Sequence, residues 1–456
     1  MTRSRVVSLT SVGRAVSRLG LVSLCVACAG TVSLLSFSVT RDALEDPFPG
    51  ATAVEVSVRQ DGVRLPRAVA RTALSGEPFA TPVVPFGTGY TLRVDVLDGE
   101  LLLARGTSAT FATQRSEQGA LPDVFVAPLG RFAQLATRSA PTPVAAARVG
   151  DALVVGNADG SVSRVDAHTA LTDELLVPAA GRRFVALPSG LLVTTGGDAW
   201  FFDDDAHATV AAELARHGPD ALLVPMLDGT PGEPCGFALG GRTAPQALTR
   251  LCVVGGVLEV EPLPDVGLGG WGGVGVHVSL GADGGRLAWV GRQDAGGTSS
   301  ALTLVDPGAP QDTRTVALDL PTTGAAVIAN APGELLVVGG RSAAGVVLSD
   351  VARVVVQASG TAVRAVPAPE PLFSPRQGGA AAWVADGVYL VYGGTNAGGA
   401  AVRRAELVDV RGFPGVVAPT GELPVEASVV APVDDHALVA IGASAMYRYA
   451  APRGFE

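Results

Sequence analysis

Leu335-Leu-Val-Val-Gly-Gly340 and Val388-Tyr-Leu-Val-Tyr-Gly-Gly394 are two copies of one pattern, a short apolar run ended by a glycine doublet. The same pattern recurs as Ala152-Leu-Val-Val-Gly156, Leu191-Leu-Val-Thr-Thr-Gly-Gly197, Gly236-Phe-Ala-Leu-Gly-Gly241, Leu287-Ala-Trp-Val-Gly291 and Ala437-Leu-Val-Ala-Ile-Gly442. The closing glycines stand 41, 44, 50, 49, 54 and 48 residues apart. A repeat of about 40–50 residues is the length of one four-stranded propeller blade. A strand precedes each copy, as at 325–330 and 380–384. A third follows, as at 301–305 and 405–410, and a fourth closes the unit, as at 315–318. Glycine at the end of the second strand suits a chain that turns sharply where blades converge, with no room for a Cβ.

These doublets resemble kelch repeats over roughly residues 140–450, most closely around Gly241, Gly340 and Gly394. The Tyr and Trp that follow the doublet in that family are missing from most copies, so the resemblance is to a degenerate kelch-like β-propeller. The first unit, Val154 to Ala167, instead resembles a quinoprotein-type blade, which by itself implies no quinone cofactor. Seven glycine strands predict seven blades. The last unit, 425–451, has three strands, and residues 131–138 could supply its fourth. Six blades is the alternative if the first or second unit belongs to the linker.

Upstream, residues 34–130 read as a small β domain. Ala53 to Arg59 and Tyr90 to Leu97 alternate with period two, and Asp98-Gly99 is a hairpin signal. Six or seven short strands in about 100 residues predict an immunoglobulin-like sandwich without the Cys–Trp–Cys hallmark. The fold class expected is therefore all-β: a sandwich at 34–130 followed by a propeller at 131–456.

Residues 1–28 read as an export signal. Arg3, Arg5, Arg14 and Arg18 precede an apolar run from Leu19 to Phe37. Within it, Cys25-Val-Ala-Cys28 followed by Ala29-Gly30 resembles a bacterial lipobox, with Cys25 where Leu is usual. The resemblance implies lipidation of Cys28. Cleavage with release, or an uncleaved anchor, fits the run as well. Each fate puts the rest of the chain outside the cytoplasm, as an outer-membrane lipoprotein of the cell envelope or a secreted protein.

Past the signal, the cysteines are Cys235 and Cys252. If the segment is a hairpin with Gly241 opposite Gln246, six steps back and six steps on bring the two thiols face to face, close enough for a disulfide. Two buried thiols are the alternative.

The chain carries 33 basic and 43 acidic residues, a net charge of −10, with 48% hydrophobic residues. That balance argues against nucleic acid as a partner and against disorder. All the basic residues are arginine, so a phosphate loop ending in Gly-Lys is excluded. No His-Glu-x-x-His or Gly-x-Ser-x-Gly occurs. Asp203, Asp204 and Asp205 with His207, and Asp434-Asp435-His436, read as solvated turns ahead of Ca²⁺ sites. No cofactor and no metal is expected.

Arg242, Arg292 and Arg341 follow the closing glycine in three successive units. On a propeller they would form a crescent on one face, suited to carboxylates or sulfates. Pairing with nearby carboxylates is the plainer reading. Trp200, Trp289 and Trp383 fit wedges between blades, whereas Trp271, in a glycine-rich loop, fits an exposed contact. The function expected is non-catalytic: an envelope-anchored module presenting propeller loops to a protein or glycan. The alternative is a carbohydrate-active or oxidising enzyme on the same scaffold, which needs carboxylates or metal ligands converging on the axis.

Overall fold

The computed structural model describes residues 32–455 apart from 35–36, 41–49, 64, 75–81, 114–121, 170–171, 176–182, 188, 195–197, 204–205, 211–213, 215, 218–220, 227–232, 268–272, 281–284, 291–292, 295–296, 299–301, 319–322, 343, 358–362, 369, 413–415 and 435. The signal at 1–28, with Cys28, lies outside the described residues. No helix among those described is long and apolar enough to cross a membrane. The protein is all-β, and two compact units divide it: Met1–Ala136 with Ala167–Thr169 and Tyr447–Arg453, and Thr137–Asp166 with Ala170–Met446 and Gly454–Glu456.

The first unit is built on a six-stranded sheet. Its order is Ala127–Pro128, Leu101–Thr107, Gly87–Asp98, Ala53–Gln60, Ala68–Ala73, with Phe111–Thr113 also paired to Gly87–Asp98. Period-two alternation sends Val56, Val58, Tyr90, Leu92, Val94 and Val96 to one face, where they pack with Val84, Val124 and Val126. The opposite face is charged: Arg71, Glu55, Asp95 and Arg105 stand in one row across four strands. Among the described residues that buried face is covered by two short ribbons, Val32–Leu34 with Val83–Pro85 and Ser38–Thr40 with Asp123–Phe125.

From residue 132 onward the chain forms four-stranded antiparallel sheets, giving a propeller-like architecture. Six follow sequence order, beginning with the strands Pro143–Val149, Arg183–Leu187, Leu222–Pro225, Val274–Ser279, Ala326–Ala331 and Ala380–Ala385. In the seventh the order is Phe132–Thr137, Ala445–Ala450, Ala437–Gly442, Ala427–Asp434. Each apolar run quoted above supplies the second strand of its sheet, and its described side chains are almost wholly buried, since both faces of the strand meet packed neighbours. Successive sheets touch through their first strands, and Ala427–Asp434 in turn lies against Pro143–Val149. Ser428 Oγ donates to Pro143 O at 2.6 Å across that contact.

The glycine doublets do something more specific than relieve crowding at an axis. Gly240 and Gly241 have φ of 66° and 114°, values closed to most side chains. A Cβ on Gly241 would sit 1.8 Å from His217 O, which belongs to the segment leading into the first strand of the same sheet. Gly394 faces Gln377 O in the same way, at 2.6 Å. The doublet is thus the seat for the incoming chain of its own sheet.

Candidate functional site

The residue after the doublet begins a loop with a repeated build. Arg341 bridges Thr323 on one side and Val347 on the other, and Thr395 bridges Gln377 and Ala401 in the same pattern. A short ladder therefore continues beyond the glycines and stiffens the base of these two loops. Arg341 is exposed, and its Nε donates to Gly345 O at 2.9 Å within its own loop. In the next loop Asn396 Oδ1 accepts from the amides of Gly398 and Ala400. Arg242 is exposed at the matching position of the third sheet. Arg292 and Trp271 lie outside the described residues, so the structure brings forward two of the three crescent arginines.

Asp203 follows the strand Asp198–Phe202, and His207 lies within the strand Ala206–Val210 and not in the turn after Phe202. Asp434 and His436 flank the turn between Ala427–Asp434 and Ala437–Gly442, with His436 at φ 71°. Among the described residues no group of three His, Cys, Asp or Glu could hold a metal ion. Trp200 is half-buried against Val154, Leu191 and Phe202. Trp383 departs from the wedge expectation, being 37% exposed on a first strand. The side chain of Trp289 is outside the described residues.

The most highly built polar group is one that sequence reading missed. Arg376 and Glu406 form an ion pair with side chains 1% and 0% exposed. Glu406 stands opposite Val391, two residues before its doublet, on the third strand Arg404–Asp409. Its Oε2 accepts from the Phe373 amide at 2.6 Å and its Oε1 from the Ser374 amide at 3.1 Å. Arg376 also donates to Ser374 O, Gly393 O and Arg404 O. Burial pulls the Arg376 guanidinium below its usual range, and the Glu406 carboxylate opposes that pull.

The third sheet fills the matching place with a hydroxyl and an imidazole, and Arg216 Nη2 also donates to that hydroxyl, Thr249 Oγ1, at 3.1 Å. Thr249 stands opposite Ala238, again two residues before the doublet. Its Oγ1 bonds His217 Nε2 at 2.8 Å, while His217 Nδ1 bonds Gly240 O at 2.9 Å. Burial holds the His217 imidazole below its ordinary value, chiefly by desolvation, with Arg216 adding to it and the Gly240 bond opposing. The unfolded chain therefore takes up this proton first as pH falls below about 6.5. Stability is expected to drop across that window by up to about 1.4 kcal/mol per pH unit, until the folded imidazole also protonates. Urea titrations from pH 7.5 to 5 check this. In His217→Gln that share of the slope should vanish, and an unchanged slope would remove His217 as its source.

Beside this socket, Cys235 pairs directly opposite Cys252 on adjacent strands, and a disulfide joins them across a sequence separation of 17. Closing a loop of that size removes chain entropy worth about 3 kcal/mol from the unfolded state. Cys235→Ser/Cys252→Ser is expected to lose about 2–4 kcal/mol in denaturant titration. The wild-type protein in reductant should fall to the same midpoint, and a midpoint that stays put in both would show the bridge to be stabilising nothing.

Neither a protein-family model nor a functionally curated protein matches the chain. Among solved structures, it is similar to a chain from a cryo-electron-microscopy structure of RAG in complex with one melted and one unmelted RSS, at 12% identity and TM-score 0.43, covering 60% of this chain and 95% of that one. It is also similar to a fungal alcohol oxidase of the AA5 family in complex with copper, at 12% identity and TM-score 0.41, covering 71% of this chain and 76% of that one. Likeness at this level carries no argument about function.

Proposed function

We propose that residues 131–456 are a seven-bladed, kelch-like propeller carried on an immunoglobulin-like spacer at 34–130, and that the mature protein is a non-catalytic binding module of the bacterial cell envelope, held at the membrane by a lipid on Cys28. The contact between Ala427–Asp434 of the last sheet and Pro143–Val149 of the first supports a closed wheel of seven over one of six. A wheel offers a rigid rim and leaves binding to its loops.

The observation that carries the binding reading is the shared build of the loops after the doublets. The ladders Thr323–Arg341–Val347 and Gln377–Thr395–Ala401 hold equivalent positions in two sheets, with Arg341 exposed at one of them. Pre-formed loop bases lower the ordering cost of association. Exposed guanidinium groups there suit carboxylate or sulfate groups of a protein or glycan. The enzyme alternative asks for at least two carboxylates at the axis. On the seven first strands the one carboxylate is Asp434.

The test is capture from envelope fractions by the full mature chain, beside Arg242→Ala/Arg292→Ala/Arg341→Ala. Specific capture that drops about tenfold or more in the triple variant is expected. Equal capture by both proteins discards the arginine crescent, and no capture by the wild type discards the binding reading.

A further inference from the structure

Phe373 is 56% exposed, yet its own amide and those of Leu372, Ser374 and Arg376 are all hydrogen-bonded. Its own amide and that of Ser374 are tied to the fully buried Glu406, which Arg376 clamps in turn. Leu372, just before it, is buried in a cluster with Val338, Val351 and Tyr389. A phenylalanine left more than half exposed gains little in folding from such fixing. A buried ion pair is also a weak stabiliser against an apolar alternative, since both charges lose their hydration. What the lock achieves is position: a large apolar side chain held out from a rigid backbone.

This segment is laced to the loop that carries Arg341. The Leu372 amide donates to Ser349 O at 2.8 Å, the Arg376 amide to Leu348 O at 3.0 Å, and the Gly340 amide to Arg376 O at 2.8 Å. The Arg341 loop also presents Val346, 57% exposed, next to the Gly345 carbonyl that holds the Arg341 Nε. Two adjoining rim loops thus display a phenylalanine, a valine and a guanidinium, flanked by exposed Pro371 and Pro375. Aromatic and arginine side chains on pre-organised backbone are the usual anchors of protein–protein contacts.

The choice between protein and glycan follows from what surrounds the ring. A sugar needs polar side chains beside the aromatic platform to bond its hydroxyls. Here Ser342 Oγ is already engaged by the Val346 amide, and Gln377 Nε2 reaches Thr395 Oγ1 at 3.5 Å. The exposed side chains named here are apolar apart from Arg341, and the carboxylate next to them in sequence, Glu370, accepts from the Val417 amide at 3.3 Å. We propose that Phe373, Val346 and Arg341 form the docking anchor for a protein segment that sets a large apolar side chain beside a carboxylate, the apolar group covering Phe373 and Val346 and the carboxylate meeting Arg341. The proposal rests on the binding reading above and assigns its partner class and subsite.

The test uses the full mature chain, a phage-displayed library of random peptides and a glycan array. Selection on the wild type should enrich peptides pairing Leu, Phe or Trp with a neighbouring Asp or Glu. Synthetic copies should lose about tenfold or more in affinity with Phe373→Ala, and several-fold with Val346→Ser or Arg341→Ala. The Arg341 effect should shrink as salt rises. Because all three side chains are exposed, a thermal melt matching the wild type certifies each variant. Enriched peptides indifferent to Phe373→Ala, no enrichment, or glycan binding that depends on Phe373 each overturn the proposal. Envelope capture that fails in the arginine triple variant but survives Phe373→Ala sinks this subsite and leaves the binding reading intact, whereas a wild type that captures nothing sinks the binding reading itself.

Discussion

Glu406→Ala is expected to destabilise the protein by about 3–5 kcal/mol, because it strands a buried guanidinium. Arg376 has 1% of its side chain exposed, so water cannot replace the lost carboxylate. The Phe373 and Ser374 amides lose their acceptor in the same step. Unmade bonds of that kind add to the loss. Removing both charges should hurt far less: Arg376→Met/Glu406→Leu refills the space with apolar groups and leaves no orphan charge. Denaturant midpoints of the two single variants and the double give a mutant cycle, and the expected coupling is large and favourable to the pair. Single variants that simply add would show that the two side chains do not act as a unit. Peptide affinity at Phe373 should weaken along with stability in Glu406→Ala, since the same carboxylate holds that backbone.

Gly241→Ala should be at least as damaging, with a loss at or above about 4 kcal/mol or no folded product at all. The residue sits at φ 114°, where an L side chain is strained, and its new Cβ would lie 1.8 Å from His217 O. The obstacle is backbone and cannot rotate away, so the segment entering the first strand must move and break the His217 bonds to Gly240 and Thr249. Gly255→Ala is the control. Gly255 has φ 58° with nothing within 4 Å of its Cβ position, so its cost is the left-handed penalty alone, about 1–2 kcal/mol. Thermal melts of the two should differ widely. Similar melts would mean that the doublet is not a seat for the incoming chain.

The all-β architecture was legible in the sequence because its signals are local. A second strand such as Glu334–Val338 is buried on both faces beyond its first residue, so it is apolar from Leu335 on, and the glycines after it interrupt the run at once. The pairing of Cys235 with Cys252 needs only a hairpin register, which short-range counting supplies. In the first unit the alternation of Tyr90, Leu92, Val94 and Val96 marks one buried face, but it says nothing of what covers that face, and the cover is two ribbons drawn from distant segments.

The polar locks were not legible. Glu406 lies in Arg-Ala-Glu-Leu-Val-Asp, where alternation assigns a lone carboxylate to the solvent face, and Arg376 lies in a Pro- and Gly-rich stretch that reads as loop. Nothing local distinguishes a charge that will be buried from one that will stay wet, because the difference is the presence of its partner. Thr249 and His217 are hidden for the same reason, 32 residues apart in the chain. Sequence alone determined where the apolar second strands end and that the same small sheet is built again and again, since periodicity and glycine act on neighbouring residues. Tertiary structure alone decided which polar side chains lie inside, and which apolar ring, Phe373, is held out on the rim, because both depend on contacts between segments that only folding brings together.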